Sequence, residues 1–147
     1  MRYNHIGDTM QYKRKMGIDY GDKRIGVAFS DLLGMLASPY EVYQNNDQKS
    51  SLEHLIKLCK EKEVDEIVIG YPLNMQGEEN ERTKLTKEFG EKLKKLSGLP
   101  VYYQDERLSS FEAEELLKAK GMNWEKRKEV LDMFSAQIIL QDYLNNK

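Results

Sequence analysis

The order of patterns along this chain predicts an α/β fold: a mixed five-stranded sheet, three strands antiparallel and two parallel, with helices on both faces. Two observations carry that expectation. Three strand-like segments follow one another through short turns between Met16 and Tyr43, which reads as an antiparallel meander. Helical and strand-like patterns then alternate, giving the order β-β-β-α-β-α-β-α-α.

The first strand closes on Met16-Gly17-Ile18-Asp19. Tyr20-Gly21-Asp22-Lys23 is the turn after it, with Gly and Asp where the chain reverses. Ile25, Val27 and Phe29 alternate with Gly26, Ala28 and Ser30, the period of a second strand. The third is expected from Leu36 to Tyr43. Pro39 within it cannot donate to a ladder and so marks an edge or a bulge. Asp47 is a candidate N-cap for a helix running to Lys62, whose Leu52, Leu55, Ile56 and Cys59 share one face. Glu66-Ile67-Val68-Ile69-Gly70 reads as a buried central strand, and Tyr71-Pro72-Leu73-Asn74 as a loop. Leu85, Phe89, Leu93 and Leu96 mark the core stripe of a second helix, ended near Gly98 and Pro100. Val101 to Asp105 is a further strand. Ser109-Ser110-Phe111-Glu112 has the form of a capping box and opens a helix that stops at Gly121. The last helix runs from Trp124 to Tyr143.

The 147 residues suit one domain, read as 13–147, behind an N-terminal extension over 1–12. No apolar run is long enough to cross a bilayer, and Met1–Lys15 has no signal-peptide core. A cytoplasmic protein with no membrane partner is expected. Cys59 is the single cysteine, so neither a disulfide framework nor a thiolate cluster is available. Its place in the helix stripe makes it a core residue. His5 and His54 are isolated and suggest no ligand set. The net charge of −2 argues against a strong, sequence-blind binder of nucleic acid, without excluding a nuclease. Local basic clusters are present at Lys13-Arg14-Lys15, at Lys92 with Lys94-Lys95, and at Lys126-Arg127-Lys128. Solvated element ends explain each of them equally well.

Three acidic positions stand out by context. Asp19 ends an apolar strand before a Gly-containing turn, where it either projects towards a ligand or bonds the local backbone. Asp105 and Glu106 end another strand, and because strand side chains alternate, at most one of them joins Asp19. A surface pair bridged to Arg107 is the alternative. Asp132 shares a helix face with Ala136, Ile139 and Tyr143. A carboxylate at the margin of an apolar face is costly unless paired, hydrogen-bonded or metal-bound. Should the three converge, their hard oxygens suit Mg²⁺ or Mn²⁺ and hydrolysis of a phosphodiester, with no Cys, His or Ser nucleophile.

These residues fall in motifs. Gly17-Ile18-Asp19-Tyr20-Gly21-Asp22-Lys23-Arg24-Ile25-Gly26-Val27-Ala28, Ile69-Gly70-Tyr71-Pro72-Leu73-Asn74-Met75-Gln76-Gly77, Asp105-Glu106-Arg107-Leu108-Ser109-Ser110 and Lys128 through Leu144 occur in that order. Together they resemble the YqgF family, also called RuvX-like, of pre-16S rRNA nucleases and Holliday junction resolvase-like proteins. Tyr71, Gln76 and Leu131 depart mildly from its pattern, and none of them is a proposed ligand. The resemblance implies a ribonuclease H-like fold and a metal-dependent nuclease site. Asp19, Glu106 and Asp132 would be the catalytic acids and ligands of Mg²⁺ or Mn²⁺, with Asp105 behind them. Lys23, Arg24, Asn74 and Arg107 would orient substrate phosphate or the carboxylates.

The function expected is hydrolysis of structured RNA, at the 5′ end of precursor 16S rRNA in ribosome biogenesis. Resolution of branched DNA and a non-catalytic nucleic-acid-binding assembly factor are the competing readings. An actin-like ATPase, suggested by the Asp19-x-Gly21 turn, needs two such domains and ranks last. A monomer or weak homodimer is expected.

Overall fold

The computed structural model describes residues 13–106 and 114–146. Strands β1 (Arg14–Tyr20), β2 (Arg24–Ser30) and β3 (Ala37–Gln44) form the meander. Helix α1 (Gln48–Glu61) leads to β4 (Val64–Tyr71), and α2 (Glu81–Ser97) leads to β5 (Val101–Asp105). Helical residues 114–119 (α3) precede the long α4 (Trp124–Asn145). The five strands lie in the order β3-β2-β1-β4-β5. β1 pairs antiparallel with β2 and β2 with β3, whereas β4 runs parallel to both β1 and β5. The mixed sheet expected from the order of elements is therefore present.

Both faces of the sheet are covered, so β1, β2 and β4 are buried on both sides. On one face, Met16, Ile18, Ile25, Val27, Ile67 and Ile69 pack with Leu52, Leu55 and Cys59 of α1 and with Phe89 and Leu93 of α2. On the other, Ala28 and Val68 pack with Ala136, Ile139 and Leu140 of α4. The sheet residues on the α4 side are small, and two of them are glycines for a reason. A Cβ at Gly17 would sit 2.6 Å from Leu140 Cβ and 2.9 Å from the Ala136 carbonyl oxygen. A Cβ at Gly70 would sit 2.5 Å from Ile139 Cδ1. Removing these side chains lets α4 lie almost on the strand backbones.

The caps follow the sequence closely. The Asp47 side chain accepts from Ser50 N, and Lys62 closes α1. The register between β2 and β3 slips between Val27 and Ala28, opposite Glu41 and Pro39, so the bulge expected at Pro39 is there. Cys59 is buried against Met16, and burial pushes its thiol up to about 12, so it is a core residue with no thiolate chemistry.

Two expectations about side chains need correction. Leu85 and Leu96 are 40% and 60% exposed, and the buried face of α2 is Thr83, Thr86, Phe89, Gly90 and Leu93. The hydroxyl of Thr83 tolerates burial because it belongs to a capping box with Asn80, donating to the Asn80 carbonyl oxygen and accepting from Asn80 N. Leu36 lies outside β3 and is exposed, in the loop that joins β2 to β3. The 1–12 extension, Arg107 and the capping box at Ser109–Glu112 lie outside the described residues.

Candidate active site

Strands β1, β4 and β5 are parallel, so their carboxyl ends share one edge of the sheet, where open α/β folds place ligands. Asp19 lies at that end of β1, and Glu106 directly follows β5. Between them runs β4, with Gly70 near its end. A Cβ on Gly70 would meet Glu106 Oε2 at 2.9 Å, so the Glu106 carboxylate lies over the space that the glycine leaves. Alternation decides between the two neighbouring acids. Tyr102 faces α4, where its ring stacks on Tyr143 at 5.8 Å, while Tyr103 faces Tyr71 and Glu91 on the α2 side. Counting on by twos puts Glu106 on the α4 face with Asp19, and Asp105 on the opposite, exposed side.

Electrostatics report the same proximity. The pKa of Glu106 is raised to about 8, first by burial and then by the charge of Asp19, while Arg82 opposes. Asp19 is raised as well, first by burial and then by Asp132, against the charge of Arg82 and a hydrogen bond from Ser135. The Ser135 hydroxyl also lies against the Leu131 carbonyl oxygen, and its single proton serves one acceptor at a time.

Asp132 approaches from α4. A Cβ on Gly26, the β2 partner of Asp19, would lie 3.6 Å from Asp19 Cβ, from Ala136 Cβ and from the Asp132 carbonyl oxygen. The Asp132 carboxylate, 38% exposed, is turned to Arg24, with Oδ2 3.3 Å from Nε. Among the described residues, no three His, Cys, Asp or Glu side chains are grouped so as to hold a metal ion. The fold thus brings Asp19 and Glu106 together and holds Asp132 beside them on an ion pair.

The expected phosphate-orienting residues divide. Lys23 is exposed in the β1–β2 turn at the same edge. Arg24 is engaged by Asp132. The Asn74 carboxamide ties its own loop, accepting from Gln76 N and Glu78 N and donating to Glu78 Oε1. Of the basic clusters, Lys15 pairs with Asp65 at 2.7 Å and Arg127 with Glu114 at 3.5 Å. Lys128 is exposed one turn before Asp132, and Lys126, two residues earlier, is exposed beside Glu129 at 3.9 Å. Arg82 and Ser135 belong to the site and were missed from sequence. Ser135 stands at i+3 from Asp132, a spacing that signals a shared helix face. Arg82 gives no such signal.

A family model described as "RuvX: Holliday junction resolvase" matches residues 13–146. The chain belongs to this family. A relative from Halothermothrix orenii, named "Putative pre-16S rRNA nuclease", is 46% identical over 132 residues, covering 90% of this chain and 94% of that one. A relative of the same name from Carboxydothermus hydrogenoformans is 44% identical, covering 90% and 96%. Among solved structures, the RuvC of Thermus thermophilus in complex with Holliday junction substrate superposes with a TM-score of 0.54 at 13% identity, over 92% of this chain and 95% of that one. A second Thermus thermophilus RuvC structure gives 0.53 at 12% identity, over 90% and 95%. This RuvX-family chain has the ribonuclease H-like fold.

Proposed function

We propose that the chain is a divalent-metal-dependent nuclease that trims the 5′ end of precursor 16S rRNA during ribosome biogenesis in the cytoplasm. The observation that carries this reading is the convergence of Asp19 and Glu106 over Gly70, with Asp132 one ion pair away. The names of the relatives support the RNA substrate.

The donor set fits a hard cation. Two partly buried carboxylates repel each other, and a divalent ion relieves that repulsion while satisfying their oxygens. Asp19 and Glu106 would hold Mg²⁺ or Mn²⁺, and Asp132 would join them on leaving Arg24. When bound, the ion supplies Lewis-acid stabilisation of the charge that develops on the phosphodiester. The protein's own contribution is arrangement. Gly70 keeps space for Glu106, Ser135 orients Asp19, and Arg24, released by Asp132, faces the same edge as a cation for phosphate. Lys23 stands on the open rim.

The description of the family model favours a second reading, resolution of branched DNA, which the same acids would serve. Symmetric cutting of a four-way junction needs two sites, hence a dimer. The test is cleavage in Mg²⁺ or Mn²⁺ of precursor rRNA fragments, single strands and four-way junctions by wild type and Asp19→Asn. Metal-dependent cutting of precursor RNA that Asp19→Asn lacks supports the proposal. Symmetric cutting of junctions in preference to RNA transfers it to the resolvase reading. Absence of cutting favours a non-catalytic binding module, and equal cutting by Asp19→Asn shows that the proposed site is wrong.

A further inference from the structure

Arg82 lies outside the sequence motifs, yet the fold delivers it to the site. It occupies the first turn of α2, which begins where the loop after β4 turns back from the carboxyl edge. Its Nη2 donates to the carbonyl oxygen of Tyr20 at 3.1 Å, a reach of 62 residues in sequence that ends beside Asp19. An exposed arginine ordinarily gains little by holding one geometry. This one is tied to main chain at the strand end that carries a site carboxylate.

The other charged groups give the tether its meaning. Arg82 is the cation whose charge acts on both Asp19 and Glu106. Among the described residues at this edge, Arg24 is paired with Asp132 until that carboxylate leaves it. A guanidinium carries five N–H donors in a rigid fork, and the bond to Tyr20 uses one of them. The residue is exposed, and the bond to Tyr20 is the hydrogen bond its guanidinium makes among the described residues. A guanidinium fork is suited to planar, two-pronged recognition of a phosphate.

We propose that Arg82 is a substrate-binding residue whose guanidinium contacts the non-bridging oxygens of the phosphodiester presented to Asp19 and Glu106. The proposal rests on the nuclease reading and adds a residue to it. The bond to Tyr20 places the guanidinium before substrate arrives, which limits the side-chain entropy lost on binding. Were its role only to neutralise the acids, a divalent ion would make it redundant. A phosphate contact is needed all the more once the ion is in place.

The experiment is binding of a fluorescent single-stranded fragment of precursor 16S rRNA, followed by anisotropy in chelator across a salt series. Wild type, Arg82→Gln and Arg82→Lys are compared. Losing one charge-assisted contact should weaken binding by Arg82→Gln about tenfold. The slope of log affinity against log salt should fall by about 0.7, the value for one phosphate on a single strand. Arg82→Lys should keep the full slope. Mg²⁺ affinity of Arg82→Gln, measured by calorimetry, should not fall. An unchanged slope and affinity in Arg82→Gln overturns the proposal, as does loss of Mg²⁺ binding with the RNA slope intact. Should Arg82→Gln fail to fold, wild type alone decides. RNA should protect Arg82 from an arginine-modifying dicarbonyl, read by mass spectrometry, and lack of protection overturns the proposal. Wild type that binds no RNA overturns this contact, while the nuclease reading stands or falls on the cleavage assay. Asp19-dependent cleavage with an indifferent Arg82→Gln overturns this contact alone.

Discussion

At the end of β5, Glu106 meets Asp19 across the width of one strand, and burial with that like charge holds its pKa at about 8 against 4.5 for a free glutamate. Between those two values the folded, metal-free chain holds a proton that the unfolded chain has released. Stability therefore falls as pH rises through the window, and Asp19, shifted in the same direction, adds to the fall. Glu106→Gln carries no charge to bury. It should lose less stability between pH 5 and pH 8, and be more stable than wild type at pH 8. Urea midpoints in chelator measure this, and parallel pH profiles for the two proteins would refute it. The sequence placed Asp19 at a strand end and allowed only one of Asp105 and Glu106 to join it, because alternation in a strand is local geometry. It was silent on Arg82, which reaches Tyr20 from 62 residues away through the packing of α2 on the sheet.

At the scale of elements, caps and strands were legible where their cause is local. Asp47, read as a cap, accepts from a backbone N–H in the first turn of α1, and Gly98 closes α2 in the left-handed conformation, whereas the caps Asn80 and Asn123 were not read from sequence. The face of α2 was not legible. Its leucines suggested a stripe through Leu85 and Leu96, but the angle at which a helix meets a sheet is a tertiary property, and two threonines occupy the buried positions instead. Leu93→Ala should cost about 2–5 kcal/mol by emptying a fully buried site. Leu96→Ala should change stability by less than about 0.5 kcal/mol. Denaturant unfolding of both variants checks the assignment, and equal losses would restore the leucine stripe.

Across the whole molecule, the repulsion between Asp19 and Glu106 is a standing cost of the metal-free state. Asp19→Asn should be at least as stable as wild type in chelator. Added Mg²⁺ should raise the melting temperature of wild type, by up to about 2.7 kcal/mol of stabilisation at a hundredfold excess over its dissociation constant. It should do so far less for Asp19→Asn. An equal thermal shift in both would place the ion elsewhere. The order of strands was legible because sequential hairpins and alternating βα units admit few topologies. The approach of α4 was not, since it depends on what Gly17 and Gly70 lack.

The three acids come from the first strand, the end of the fifth and the last long helix. A nascent chain still missing α4 holds at most two of them and lacks Ser135. On the proposed mechanism, such a fragment would be chemically silent. Competence to cut would then arrive in one step, when synthesis has passed Asp132 and α4 has docked, so that neither a stalled nor a clipped polypeptide becomes an unregulated nuclease.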